Sequence, residues 1–140
     1  MKIDGFIPAD PKIAYEEGST FTYETKYGDV VVIAKMAGND NEAFSQNYQK
    51  VMERHERESR LGNTDANKMF RDLAGLYHDT VIIKWSTTVK SGGKAISSTR
   101  ENFVDLITTD AMRPVWGLFI EDVSNLANFQ AKQEEDTAKN

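Results

Sequence analysis

The two histidines of the chain lack the neighbours that a catalytic or metal-binding histidine needs. His55 lies in Glu53-Arg54-His55-Glu56, which is similar to part of a zinc-binding helix. Such a helix carries its second histidine four residues further on, and here that position is Ser59. His78 has no second ligand spaced to join it. Because the chain also has no cysteine, thiolate sites are excluded, and the sequence predicts no metal site.

A glycine-rich turn, Ser91-Gly92-Gly93-Lys94, resembles a phosphate-binding loop only in part. The phosphate-loop pattern needs a glycine where this chain has Thr88, and a serine or threonine where it has Ala95. The turn therefore predicts a short hairpin or an ordered loop. No nucleophile-elbow pattern occurs, and carboxylate pairs such as Glu16-Glu17 lie in segments expected to be exposed. We therefore expect neither enzymatic activity nor a cofactor.

Composition narrows the classes of partner. The 140 residues carry a net charge of -5, which argues against nucleic acid and against an anionic membrane surface as partners. The longest apolar run, Val30 to Ala34, is far shorter than the ~20 residues of a membrane span. The first residues contain an early acid and no apolar core of a signal peptide. These features predict a cytosolic protein, and the many large aromatic residues favour binding of another chain as its function.

The N-terminal third predicts an arm followed by a β-hairpin. Residues 1–19 contain Pro8 and Pro11 and show no clear period, which indicates an irregular arm with Phe6 and Ile7 as its contacts. From Thr20 the residues alternate, and the turn pair Gly28-Asp29 separates them from an apolar β-branched run. Because that second run is apolar on both faces, helices should cover one face.

Helical periods dominate the remainder. Asn39 with Glu42 matches a capping box, and the helix that it starts should end at Gly62-Asn63. A second helix opens at Asn63 or Thr64. Its end is ambiguous, since Val81-Ile82-Ile83 has strand propensity while the i, i+4 row continues to Trp85; we predict a helix to about Lys84.

Two more helices are predicted towards the C-terminus. Ser98 with Glu101 forms a capping box, and Thr109 or Asp110 caps the last helix, with Pro114 in its first turn. Residues 131–140 are polar and predict a flexible tail. The fold class is therefore α+β, an N-terminal β-hairpin packed on about four α-helices. The domain should span residues 20–130, between the arm (1–19) and the tail (131–140).

Several short motifs in residues 39–129 occur in an order that resembles the tail assembly chaperones of long-tailed bacteriophages. The motifs are Asn41-Glu42-Ala43-Phe44, Lys84-Trp85, Gly93-Lys94, Thr99-Arg100-Glu101-Asn102 and Leu126-Ala127-Asn128-Phe129. One departure is Ser97-Ser98, where relatives often carry a proline and an aromatic residue. This departure affects the expected geometry of the loop more than the family.

The resemblance implies a chaperone that binds the tape measure protein and keeps it soluble until the tail tube polymerises. Such proteins act in the host cell cytoplasm and are not expected in the mature virion. A longer frameshifted form of the same protein is a second implied partner. Self-association is also expected, because coating a long chain requires many copies. The alternative is a structural virion protein of the tail tube or the head–tail joining region, a class that tends to be dominated by β-structure.

The predicted contact with the partner lies on the last helix. A chaperone for an apolar helix needs a surface that accepts side chains at i, i+3, i+4 and i+7. Trp116, Phe119 and Phe129 are the large aromatic residues of that predicted helix, and we predict them as the protein-binding residues.

Overall fold

A computed structural model describes residues 1–8 and 10–139. Five strands are present in this part of the chain: β1 (Ser19–Thr25), β2 (Gly28–Ala34), β3 (Ile82–Thr87), β4 (Lys90–Ser91) and β5 (Lys94–Ala95). The same residues form five α-helices: α1 (Glu42–Arg60), α2 (Ala66–Thr80), α3 (Arg100–Ile107), α4 (Arg113–Val123) and α5 (Leu126–Lys139). A π-helical turn, Ile13–Glu17, precedes β1, and a 3₁₀ turn, Asp110–Met112, precedes α4. The predicted α+β class and the N-terminal hairpin are confirmed.

The main sheet is antiparallel with the strand order β1-β2-β3. Phe21 pairs with Val32, and Val32 pairs with Trp85, so these three side chains lie on the buried face. Burial alternates along β1, as expected of a sheet with one face against the core. The apolar residues at the even positions of β2 are buried, while Val31 and Ile33 on its other face are half-buried.

The prediction of a helix to about Lys84 is wrong, because α2 ends at Thr80 and β3 begins at Ile82. In the hairpin alone, β2 would leave one edge unpaired, and β3 supplies the missing hydrogen bonds. The three β-branched residues Val81, Ile82 and Ile83 favour this extended conformation. Trp85 is buried in the core, as the helical row also predicts, but it reaches the core from a strand.

Three helix caps differ from prediction or refine it. Asn41, two residues after the predicted Asn39, accepts a hydrogen bond from Phe44 N at 3.1 Å and caps α1. Thr99, rather than Ser98, accepts from Asn102 N at 3.1 Å and caps α3. Asp65 caps α2, one or two residues after the predicted start. Thr109 accepts from Met112 N at the turn before α4, as predicted.

The C-terminal segment is helical beyond the predicted end of the domain. The predicted single last helix is divided, because α4 ends at Val123 and Asn125 Oδ1 accepts from Ala127 N at 2.9 Å at the start of α5. The residues predicted as a flexible tail continue α5 to Lys139, and Asn140 lies outside the described residues.

The N-terminal arm is attached to the domain by its second half. Ala14 is buried, and its carbonyl accepts from Met36 N at 2.6 Å. Of the two predicted contact residues, Ile7 is half-buried and Phe6 is exposed. Ala9 lies outside the described residues. No helix among the residues described is both long and apolar enough to cross a membrane.

Candidate protein-binding surface

Aromatic residues from three helices lie side by side on the surface. Phe44 and Tyr48 are one turn apart on α1, Phe70 and Tyr77 are two turns apart on α2, and Trp116 comes from α4. Residues spaced at i, i+4 and i, i+7 share one face of a helix, so each helix presents its aromatic residues in the same direction. We call Phe44, Tyr48, Phe70 and Trp116, together with Tyr77 beneath them, the aromatic surface.

The rings of the aromatic surface form a continuous series of contacts. Ring centroids are 5.4 Å apart between Tyr48 and Phe44, and 5.0 Å apart between Phe44 and Tyr77. Tyr77 and Phe70 both lie 5.4 Å from Trp116. These separations lie in the range of favourable tilted and edge-to-face pairs. The series therefore joins α1, α2 and α4 across the surface.

The outer rings of this surface remain accessible to solvent. Tyr48 is 39% exposed, and Phe44, Phe70 and Trp116 are half-buried, whereas Tyr77 is buried. Burial and the nearby Tyr48 raise the pKa of Tyr77 to about 12, against a hydrogen bond with Ser124 that lowers it. Grouped, partly exposed aromatic side chains are typical of protein interfaces, because each covers a large apolar area with few rotatable bonds.

Two of the three predicted contact residues lie in the core. Phe119 is 1% exposed and packs beneath Tyr77 and Trp116, at centroid distances of 5.9 and 6.0 Å. Phe129 is fully buried, with its ring 5.4 Å from that of Phe21. Trp116 alone lies in the aromatic surface. The spacing of Phe44 with Tyr48, and of Phe70 with Tyr77, was the sequence signal for the remaining members.

His55 takes part in a group of ion pairs between α1 and α2. Its Nε2 lies 2.9 Å from Asp72 Oδ2, which Arg54 also contacts at 2.9 Å. Its Nδ1 lies 3.6 Å from Glu58, which Lys68 contacts at 3.2 Å. These pairs hold the two helices together beside the aromatic surface. Among the described residues, no group of three or more His, Asp or Glu side chains is arranged to bind a metal ion.

His78 lies beside a second ion pair, between α2 and α3. Its Nδ1 is 3.1 Å from Asp79 Oδ1, and Arg100 Nε is 2.9 Å from the same oxygen. Burial acts to raise the pKa of Asp79, but hydrogen bonds from Arg100 and His78 outweigh it and hold that pKa below its usual range. The cluster joins α2 to α3 and explains the position of His78.

The Gly-Lys motif forms the predicted turn. Lys90 pairs with Ala95 and Ser91 with Lys94, and Gly92 and Gly93 between them have φ values of 58° and 75°. A two-residue hairpin of this kind needs positive φ at both central positions, which glycine adopts without strain.

A comparison with protein families gives a match over most of the chain. The model of the family described as YdaY prophage protein matches residues 39–140, more than half of the chain. The chain belongs to the YdaY prophage protein family. The expected phage origin is thereby confirmed in its general form. Comparisons with curated proteins and with solved structures give no match.

The match places the aromatic surface within the YdaY family region. It begins at Asn39, just before α1, and includes the helices α1, α2 and α4 that carry the aromatic residues. The strands β1 and β2 precede the matched residues.

Proposed function

We propose that this YdaY-family protein is a phage tail assembly chaperone that binds the tape measure protein through the aromatic surface. The supporting observation is the series of ring contacts across α1, α2 and α4, in which four partly exposed rings are joined through the buried ring of Tyr77. The prophage family gives the setting, and the order of motifs in residues 39–129 favours the chaperone class within it.

The physical requirement on such a chaperone is an apolar surface on a soluble protein. A tape measure segment that forms an amphipathic helix would place its apolar side chains on the aromatic surface, as helix-binding grooves do. Rings held in contact lose little conformational freedom on binding. The net charge of -5 would keep the complex dispersed.

The proposed location, the lack of a cofactor and the absence from the virion follow if binding of the tape measure protein is the only activity of the chain. The protein would act in the host cytoplasm without a cofactor and without a chemical step. A longer frameshifted form would carry the same aromatic surface and bind the same segments. Release would accompany polymerisation of the tail tube, so the mature virion would not contain the chain.

The test is co-expression with the tape measure protein of the same prophage, followed by affinity recovery of the soluble fraction. The wild-type chain should recover soluble tape measure protein with several copies of itself. Tyr48→Glu should weaken binding about tenfold, since an aromatic residue at the end of the series should contribute about 1.4 kcal/mol. Because Tyr48 is 39% exposed and, within the aromatic surface, its ring packs only on Phe44, its replacement should lower the thermal unfolding midpoint by no more than about 5 °C.

Leu61→Glu is the matched control, since Leu61 is 69% exposed at the end of α1 and lies outside the aromatic surface. It should recover as much tape measure protein as the wild type. Equal recovery with Tyr48→Glu would place the binding site elsewhere. Insoluble tape measure protein with the wild-type chain would overturn the chaperone function, and the chain in purified virions would favour a structural tail protein.

A further inference from the structure

A cleft of about 400 Å³ lies at the end of the molecule that contains the β1–β2 turn. The β4–β5 hairpin, α3 and the 3₁₀ turn before α4 form its walls. Its floor is apolar, and Tyr27 and Lys90 lie at its rim; the floor includes Val89, Ile96, Leu106 and Met112. The volume is in the range of pockets that bind several side chains.

The N-terminal arm carries large apolar side chains that its own molecule does not bury. Ile3 is 66% exposed and Phe6 is 55% exposed. Phe6 N donates to Ile3 O at 3.1 Å, and Gly5 has φ 81°, so residues 3–6 form a tight turn. This turn presents two apolar side chains beside Asp4.

The arm cannot reach the cleft of its own molecule in this arrangement. Ile7 O accepts from Gln130 Nε2 at 2.8 Å, which attaches the arm to α5 beside Phe129. Phe129 packs on Phe21, which lies four residues before the end of β1, and a strand rises about 3.3 Å per residue, so roughly 13 Å of strand and the β1–β2 turn separate the two sites. Phe6 is one residue from the attachment at Ile7 and cannot span that distance.

The turn and the cleft each carry one charged group that can pair across the contact, Asp4 in the turn and Lys90 at the cleft. Asp105 at the cleft is paired with Arg71 at 2.7 Å. Lys90, at the same rim, is exposed and has no ion-pair partner among residues 1–8 and 10–139. An incoming turn with Asp4 between Ile3 and Phe6 would bring a carboxylate to this ammonium group and apolar side chains to the floor.

We propose that the arm of one copy inserts into the cleft of a second copy, with Ile3 and Phe6 on the apolar floor and Asp4 near Lys90. Because the inserting and receiving surfaces differ, each copy can accept one neighbour and enter another. Such head-to-tail contacts generate open chains of copies unless the rotation between them closes a ring.

Site-directed cross-linking tests this contact, because the wild-type chain has no cysteine. Ile3→Cys and Ala111→Cys are made as separate proteins, Ala111 being an exposed residue of the cleft. Mixing them with a short bis-maleimide should give a covalent dimer. The double variant should give a ladder of dimer, trimer and longer products. Adding Phe6→Asp should reduce both to background.

The control pair is Ile3→Cys mixed with Leu61→Cys, which is exposed at the end of α1 away from the cleft. A dimer yield no higher than this control would overturn the proposal, as would a double variant that cross-links only within one chain. Leu61→Asp in place of Phe6→Asp should leave the ladder intact. The experiment uses no tape measure protein, so its outcome is independent of the chaperone function.

Discussion

Asn41 joins the start of α1 to two other parts of the chain. Its Oδ1 accepts from Phe44 N at 3.1 Å, and its Nδ2 donates to Thr80 O at 2.8 Å and to Met36 O at 3.2 Å. The side chain is buried, so these carbonyls have no ready access to water. Asn41 is therefore both a helix cap and a link between α1, the segment that follows β2 and the end of α2.

Replacing Asn41 tests this double role. Asn41→Ala should lower the free energy of unfolding by about 2 to 3 kcal/mol, from the lost cap and two carbonyls without a partner. Asn41→Asp keeps the cap acceptor and removes the donors, so it should still be clearly destabilising. Urea unfolding at neutral pH measures both.

Asn39→Ala is the control for these variants. Asn39 is exposed, and its replacement should change the free energy of unfolding by less than about 0.5 kcal/mol. If Asn39→Ala lowered the free energy of unfolding as much as Asn41→Ala, Asn39 would be the helix cap, as the sequence predicted. The sequence could not separate the two asparagines, because Asn39 has Glu42 at capping-box spacing and the partners of Asn41 are 5 and 39 residues away.

At the scale of elements, β3 shows where periodicity alone is insufficient. Leu73, Tyr77, Val81 and Trp85 follow a helical row, and all but Leu73 are buried. Trp85 is buried although it lies in a strand, because β3 pairs with the free edge of β2 and Trp85 lies opposite Val32. Whether a neighbouring strand is available is a property of the tertiary structure, so the propensity of Val81-Ile82-Ile83 was the better guide.

The start of β1 depends on a glycine. Gly18 has φ 76°, and a Cβ atom there would lie 2.7 Å from Ala34 O at the edge of β2. Gly18→Ala should therefore destabilise the protein by about 2 kcal/mol or more, from the strained φ and the displaced strand. Urea unfolding measures this effect.

Gly5→Ala is the matched variant for Gly18→Ala. Gly5 has a similar φ of 81°, but a Cβ atom there would have no neighbour within 4 Å. Its effect should be confined to the arm, with the unfolding midpoint nearly unchanged. Equal losses from the two variants would mean that the backbone angle alone, and not the approach of β2, determines the cost.

At the scale of the whole molecule, the hairpin and the C-terminal helices form one core. Tyr23 Oη donates to Asp122 at 2.8 Å, Phe21 packs on Phe129, and Val123 O accepts from Ala37 N at 2.8 Å. The sequence predicted the hairpin and most helices, because each has a local period and turn residues. Of the aromatic surface only Trp116 was predicted, since α1, α2 and α4 become neighbours only after folding.

These contacts predict an alkaline loss of stability. Burial and the hydrogen bond with Asp122 raise the pKa of Tyr23 above its ordinary value, and the pKa of Tyr77 is about 12. The folded protein therefore binds both phenolic protons more tightly than the unfolded chain. Their contribution is fully present below pH 10 and falls as pH rises beyond it, by up to about 1.4 kcal/mol per pH unit for each tyrosine.

Tyr23→Phe separates the contribution of one tyrosine. It should cost about 1 kcal/mol at pH 8 through the lost hydrogen bond, yet lose less stability than the wild type between pH 8 and pH 11. Tyr27→Phe, at an exposed position, should follow the wild type at both values. Urea unfolding at the two pH values gives the comparison, and parallel pH dependence of wild type and Tyr23→Phe would contradict it.

The hydrogen bond between Tyr23 and Asp122 also has a consequence for synthesis on the ribosome. The two residues are 99 positions apart, and translation at about 5–20 residues per second separates their appearance by roughly 5 to 20 s. During that interval the nascent hairpin lacks the complete helices α4 and α5 on its apolar face, and for the first part of the interval it also lacks β3 at its edge. The incomplete chain therefore exposes the apolar face of its hairpin, and chaperones of the host cell should bind it until the last two helices have emerged.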